Sequence, residues 1–162
     1  MEIRDKVAEY VYDRCCALRT QHPDGQFTNI SCMRTNAMKF LLHYFGHGQL
    51  EKLFFLFPDP HFKAANHRRR IINRSLLDEY AYVLQPGGRL YTATDVEDLA
   101  TWMREHLTAH PLFRVLSDEE LEADPAAGLL TEATEEGKKV ARNSGQTWRC
   151  VVERLPDEVL WQ

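Results

Sequence analysis

The residues best placed to do chemistry lie between Phe55 and Lys63, in the run Phe-Leu-Phe-Pro-Asp-Pro-His-Phe-Lys. The apolar run Leu53 to Phe57 delivers a single acid, Asp59, between Pro58 and Pro60. Proline fixes φ and has no N–H, so two of them hold the carboxylate between them on a stiff turn. A stiff turn suits a group that must be placed accurately. An Asp that only caps the next turn carries the same signature, and the segment alone leaves both readings open. From His61 to Arg74 there follow five basic residues (Lys63, Arg68, Arg69, Arg70, Arg74), two histidines and no acid. Such a stretch can hold a phosphate backbone beside an otherwise acidic surface, and it can equally be a solvated helix face. Eight acids and no base lie between Ser117 and Glu136. Residues 117–133 read as an acidic loop or a short helix, solvated or, less plainly, facing a protein partner.

Other chemistries find little support. Cys15, Cys16, Cys32 and Cys150 form no CxxC pair, and the seven histidines show no ligand spacing with carboxylates or thiols. The expectation is therefore no metal, with reduced thiols behaving as small buried hydrophobes. His61 lies near the acid but reads as a packed or solvated side chain. Trp102 and Trp148 read as packing residues, and no serine sits in a nucleophile elbow. The composition, 162 residues with 44% hydrophobic, 27% charged and net charge -4, fits one folded domain over 1–162. The longest uninterrupted apolar run is far short of a membrane span, and no signal-peptide core opens the chain. A cytosolic or nuclear compartment is the default expectation.

The elements that must position Asp59 follow from periodicity. Val7, Val11, Cys15 and Leu18 predict a helix over about 5–20, and Asn36 to Tyr44 predicts a second. Phe27 to Cys32 reads as a short strand, and Leu53 to Phe57 as a strand apolar on both faces and so buried on both. Ile72, Leu76, Tyr80 and Val83 predict a helix over 69–84. After the breaker Pro86-Gly87-Gly88 comes a strand, Arg89 to Thr94. Asp95 is the expected cap of a helix with stripe Val96, Leu99, Met103 and Leu107. Phe113 to Leu116 predicts a strand, Thr134 caps a helix through Arg142, and Trp148, Cys150 and Val152 alternate in a last strand. Strands alternating with helices mean an α/β domain with a mostly parallel sheet. Ligands of such sheets bind beyond the carboxyl ends of the strands, where Glu2, Asn36, Asp59 and Asp95 fall.

Taken together, six segments resemble one family. They are Glu2-Ile3-Arg4, Arg34-Thr35-Asn36-Ala37-Met38-Lys39, Phe55 to Lys63, Glu79-Tyr80-Ala81-Tyr82-Val83-Leu84, Thr94-Asp95-Val96 and Thr134-Glu135-Glu136-Gly137-Lys138-Lys139. In this order they resemble the catalytic subunit of the eukaryotic tRNA (guanine-N7)-methyltransferases across nearly the whole chain. The resemblance implies a Rossmann-like, S-adenosylmethionine-dependent methyltransferase fold. It implies methylation of N7 of a guanine in the tRNA variable loop, usually number 46. Asp59 would be the catalytic acidic residue, placing and recognising the base rather than abstracting a proton. Glu2 would hold the cofactor ribose with Arg4 beside it, Asn36 and Ala37 would frame the adenine, and Leu56 would line the cofactor wall. Thr134 and Glu136 would close over cofactor or base. Lys63, Arg68, Arg69 and Arg70 would bind tRNA phosphates.

The resemblance also implies a partner and a location: a WD-repeat propeller subunit in a heterodimer, and the nucleus with a possible cytoplasmic share. It begins at Met1, so the family's first strand, glycine loop and first helix are expected to be missing. Gly46-His47-Gly48 follows a helix and reads as a turn rather than that loop. Loss of a central strand would leave unpaired apolar edges. The expectation is a chain shortened at its N-terminus, with an inactive RNA- or partner-binding fragment that does not bind S-adenosylmethionine as the alternative.

Overall fold

The computed structural model describes residues 1–130 and 133–161. They fall into two compact units, Met1–Tyr44 and Phe45–Gln162.

In the first unit, α1 spans Asp5–Gln21 and α2 spans Ala37–Tyr44, both as the periodicity predicts. The strand expected at Phe27 to Cys32 is absent, and the segment runs as turns and irregular chain. Phe27 has φ +61°, which no strand residue adopts. The Arg19 guanidinium donates to the carbonyls of Phe27 and Ile30, so a side chain takes the acceptors that a ladder would have used. The pairing in this unit is a single parallel bridge between Glu2 and Arg34. Its bonds are Glu2 N–H to Met33 O and Thr35 N–H to Glu2 O, each 3.0 Å.

The second unit is built on four strands: β1 (Leu50–Leu56), β2 (Leu84–Thr94), β3 (Phe113–Val115) and β4 (Trp148–Arg154). Their order is β1-β2-β4-β3. β1 and β2 are parallel, whereas β4 is antiparallel to both β2 and β3. The mostly parallel sheet expected from sequence is therefore a mixed one. Alternation reveals which residues share a face but not which way a strand runs, and β4 inserts in reverse between β2 and β3.

Helices cover both faces of the sheet. α3 (Arg74–Val83) and α4 (Glu97–Ala109) bring Leu76, Tyr80, Leu99, Met103 and Leu107 against one. Against the other, α5 (Asp118–Glu122) and α6 (Pro125–Leu129) help bury Tyr91, Ala93, Leu116, Ala127, Leu130 and Val151. α7 spans Glu135–Arg142. This mixed, doubly covered sheet is the Rossmann-like α/β class expected.

Three local expectations change. β1 is not buried on both faces. It is an edge strand whose Phe55 packs on Tyr80, while Phe54 and Leu56 remain 42% and 36% exposed. Phe54 has the Tyr91 ring as its cover, stacked at 4.4 Å. The helix expected over 69–84 is split into a 3-10 turn, Ala64–Arg69, and α3, because Asn73 caps α3 by accepting from Leu76 N–H at 3.1 Å. Asp95 does not cap α4. The Thr94 hydroxyl accepts from Val96 N–H at 3.2 Å in its place, and Val96 is the capping position. Of the two readings of the acidic segment, loop or short helix, the structure takes the helical one, with two short capped helices: Ser117 and Glu120 make a reciprocal capping box, and Asp124 caps α6. The Thr134 cap of α7 is as expected, accepting from Gly137 N–H at 2.9 Å.

β2 begins five residues earlier than predicted, because the Pro86-Gly87-Gly88 breaker is a bulge inside it, where the register with β1 shifts between Leu50 and Lys52. Gly88 is required there. A Cβ would lie 2.8 Å from Gln85 O and 3.1 Å from Glu51 O.

Candidate functional site

The proline-bracketed turn leaves the carboxyl end of β1, where Phe57 N–H extends the ladder to Ala93 O at 2.8 Å. Two residues of the turn sit in the left-handed region without being glycine, Phe57 at φ +49° and His61 at φ +45°. Each costs of order 1–3 kcal/mol and persists only where the surroundings impose it. For Phe57 the surroundings are the core cluster of Tyr91, Ala93, Leu116 and Leu130, against which its side chain packs. For His61 they are Asp59, whose Oδ1 accepts from His61 N–H at 3.0 Å and lies 3.7 Å from its Nδ1. The Asp59 side chain is itself 72% exposed. A carboxylate has room for about four hydrogen bonds, so Asp59 retains acceptor capacity toward solvent.

The basic sequel divides. Lys63, Arg68 and Arg69 are exposed, and none of them belongs to an ion pair among the described residues. Arg70 departs from the expectation of a phosphate contact: it is only 1% exposed. Its Nε donates to Pro60 O at 2.9 Å, and an Nη donates to Asp98 Oδ2 at 2.6 Å. Its guanidinium lies 4.9 Å from the Trp102 ring centre. A charge so enclosed, with Nε and one Nη already committed, is poorly placed to meet a backbone phosphate.

The first unit gathers the residues expected at a nucleoside. The Glu2–Arg34 bridge places Glu2 next to the strand of chain that leads into Asn36 and Ala37. The Glu2 carboxylate accepts from Arg4 N–H at 2.9 Å and from Arg4 Nε and Nη2 at 3.0 and 3.2 Å. These bonds from the Arg4 side chain hold its pKa below the usual carboxylate value against the opposing effect of burial. Asn36 Oδ1 accepts from Met38 N–H at 3.0 Å, which caps α2 and leaves the amide nitrogen to donate. A carboxylate acceptor and an amide donor on adjoining segments are groups that the ribose hydroxyls and the adenine edge of a nucleoside can bond.

Leu56 ends β1 two residues before Pro58. Thr134 and Glu136 are committed to α7 itself, Thr134 as its cap and Glu136 through an ion pair to Lys139 at 3.1 Å. No group of three His, Cys, Asp or Glu side chains suited to a metal occurs among the described residues, and no described helix is long and apolar enough to cross a membrane. All four cysteines are unbridged. Cys15 and Cys150 are buried, and burial raises the Cys150 pKa.

Two features of the site escaped the sequence reading. Phe62 is 75% exposed, three residues from Asp59, where an aromatic face can meet a base. Asp98 and Trp102 hold Arg70 from another helix, a long-range contact with no local signal. A second polar cluster supports the sheet behind the turn. Asp124 accepts from Tyr91 OH and from Arg89, both at 2.7 Å. Burial opposes ionisation of Asp124, but these two bonds and Ala126 N–H outweigh it, and the pKa is lowered. Burial and the Asp124 carboxylate together push Tyr91 up to about 12.

Comparison with known proteins bears on this geometry. A family model described as "Putative methyltransferase" matches residues 1–150. The tRNA (guanine-N(7)-)-methyltransferase of Arabidopsis thaliana is 60% identical over 155 residues, 96% of this chain and 62% of that protein. The proteins of the same name from Oryza sativa subsp. indica and Brugia malayi are 58% and 57% identical, over 96% and 99% of this chain and 60% and 62% of theirs. The chain thus spans about three-fifths of the length of the curated relatives it matches.

Proposed function

The chain belongs to this methyltransferase family, and we propose that it transfers a methyl group from S-adenosylmethionine to N7 of a guanine in tRNA, the variable-loop guanine numbered 46. The observation that carries the proposal is the Asp59 turn: an open carboxylate on a strained, proline-bracketed loop, followed at once by the exposed cations Lys63, Arg68 and Arg69. The names of the relatives support the same reading.

Guanine N7 already exposes an unshared electron pair, so the reaction needs no base to make the nucleophile. Asp59 is assigned to holding the target. With Oδ1 fixed by His61 N–H, the carboxylate can accept from the guanine Watson–Crick N–H groups, which adenine does not present in that pattern. Methylation leaves the base positively charged, and a carboxylate nearby stabilises that charge as it develops. Lys63, Arg68 and Arg69 hold the backbone on either side of the target. When bound, S-adenosylmethionine supplies a methyl group already activated on a sulfonium. Glu2, Arg4, Asn36 and Ala37 would hold its adenosine end, and Leu56, Thr134 and Glu136 keep the supporting roles that the resemblance implies. Orientation of this kind can supply roughly 7–11 kcal/mol of the barrier in the best-aligned cases. A WD-repeat propeller subunit and a nuclear site of action belong to the same proposal, on the resemblance alone.

The test is Asp59→Ala, assayed with a tRNA transcript and radiolabelled S-adenosylmethionine. Turnover should fall at least about 100-fold, the scale of a misplaced reactant, while cofactor affinity by calorimetry stays within about twofold of the parent. Equal loss of turnover and cofactor affinity would refute the role given to Asp59. Binding of tRNA without binding of S-adenosylmethionine would favour the non-catalytic fragment.

A further inference from the structure

Arg70 sits in the middle of the basic stretch, yet its charge is enclosed. Burying a guanidinium costs several kcal/mol unless every face of it is paired. Here one edge meets the Pro60 carbonyl, another meets Asp98 in the first turn of α4, and the planar face lies over Trp102. Trp102 is itself fixed, with Nε1 donating to Ile72 O at 2.7 Å and its ring stacked on His106 at 4.0 Å. The contact to Pro60 matters most. The peptide between Pro60 and His61 is planar, so fixing its oxygen fixes the direction of its N–H. That N–H is the one that donates to Asp59 Oδ1. A continuous relay therefore runs from the Arg70 Nε–H through the Pro60 carbonyl and the His61 N–H to the Asp59 carboxylate. It crosses His61 at φ +45°, a conformation that needs an outside constraint.

We propose that Arg70 is a positioning residue: it anchors the 60–61 peptide to α4 and thereby sets where the Asp59 carboxylate points. The proposal rests on the role given above to Asp59. Arg70 need not touch tRNA or cofactor to act in this way.

The test uses Arg70→Lys and Asp98→Asn in the whole protein. A lysine keeps the charge but, as a point donor on a flexible stem, cannot span Pro60 and Asp98 together. Asp98 has its side chain 72% exposed, so Asp98→Asn weakens the anchor without endangering the fold. For Arg70→Lys, kcat for tRNA methylation should fall about 10- to 100-fold. The KM for tRNA, its salt dependence and the Kd for S-adenosylmethionine should all stay within about twofold. Asp98→Asn should lower kcat less, in the same pattern. Amide hydrogen exchange at His61 should speed up in both variants, a readout that needs no catalysis. If the parent protein transfers no methyl group, the functional reading fails while His61 exchange still decides whether Arg70 anchors the turn. Unchanged His61 exchange in both variants overturns the proposal. So does a raised KM with a shallower salt slope at constant kcat, which would make Arg70 a phosphate contact.

Discussion

Replacing Lys63, Arg68 and Arg69 together by alanine should change how tRNA binding responds to salt. Each phosphate neutralised by a cation contributes about 0.7–0.9 to the slope of log affinity against log salt, because binding releases a condensed counterion. Three contacts then carry about 2–3 slope units. Between 50 and 200 mM salt, the triple variant should lose about 20- to 40-fold less affinity than the parent. The three side chains are exposed and unpaired with acids among the described residues, so stability should move by no more than about 0.5 kcal/mol. Fluorescence anisotropy of a labelled tRNA across a salt series measures the slope directly, and a second, unrelated tRNA should weaken by the same factor. Arg70 supplies the internal control, since its enclosed charge should contribute nothing to the slope. A triple variant with the parent's slope would show that these cations face solvent alone. A slope change confined to one tRNA would make them base-reading residues rather than backbone contacts.

Tyr91→Phe removes a hydroxyl that donates to the buried Asp124 carboxylate at 2.7 Å while keeping the ring stacked on Phe54. Urea denaturation should show a loss of about 1.5–3 kcal/mol, the range for hydrogen bonds to charged groups, and a loss below about 0.5 kcal/mol would contradict the assignment. Glu120 titrates well below its ordinary value, at about 2, chiefly through its hydrogen bonds from Arg114 and then the backbone N–H of Ser117. Its folded pKa is depressed, so its stabilisation is fully present above the unfolded value of 4.5 and is lost as pH falls through about 2. The melting-temperature gap between the parent and Glu120→Gln should therefore be widest at neutral pH and should close between about pH 4.5 and 2. A gap that is constant with pH would mean that the charge of Glu120 contributes nothing.

The elements that support the site could be read in the sequence where a local rule had no competitor. The apolar stripe Leu99, Met103 and Leu107 is buried as its spacing requires, and Thr134 caps α7 as its position before two glutamates suggests. The rule failed where a side chain from another element, or a missing neighbour, intervened. Phe27 to Cys32 has the composition of a strand, but Arg19, in the last turn of the preceding helix, takes the carbonyls of Phe27 and Ile30. Leu53 to Phe57 has the composition of a strand buried on both faces, but burial depends on neighbours, and β1 lies at the edge of the sheet. Arg70 shows the limit most clearly. In sequence it is the third of three consecutive arginines, and no property of the triplet separates it from Arg68 and Arg69. What separates it is Asp98, 28 residues away, and the ring of Trp102.

Pairing of acids with bases also bears on how a chain of net charge -4 can present local cations to solvent. Among the described acids between Ser117 and Glu136, Asp118, Glu119 and Glu122 are exposed and outside any ion pair, whereas the other four are held by neighbours. Glu120 is bound to Arg114, Asp124 is enclosed by Tyr91 and Arg89, and Glu135 and Glu136 pair with Lys138 and Lys139 on α7. Each such pair is close to neutral when seen from beyond a Debye length of about 8–10 Å, so these acids add little potential at a distance, although the net charge of the chain is unchanged. Lys63, Arg68 and Arg69 have no such neighbour among the described residues, so their potential extends into solvent. The net charge of the chain therefore says little about its affinity for a polyanion. On the proposed function, the exposed cations Lys63, Arg68 and Arg69 that follow Asp59 in sequence should decide it, which the salt series above measures.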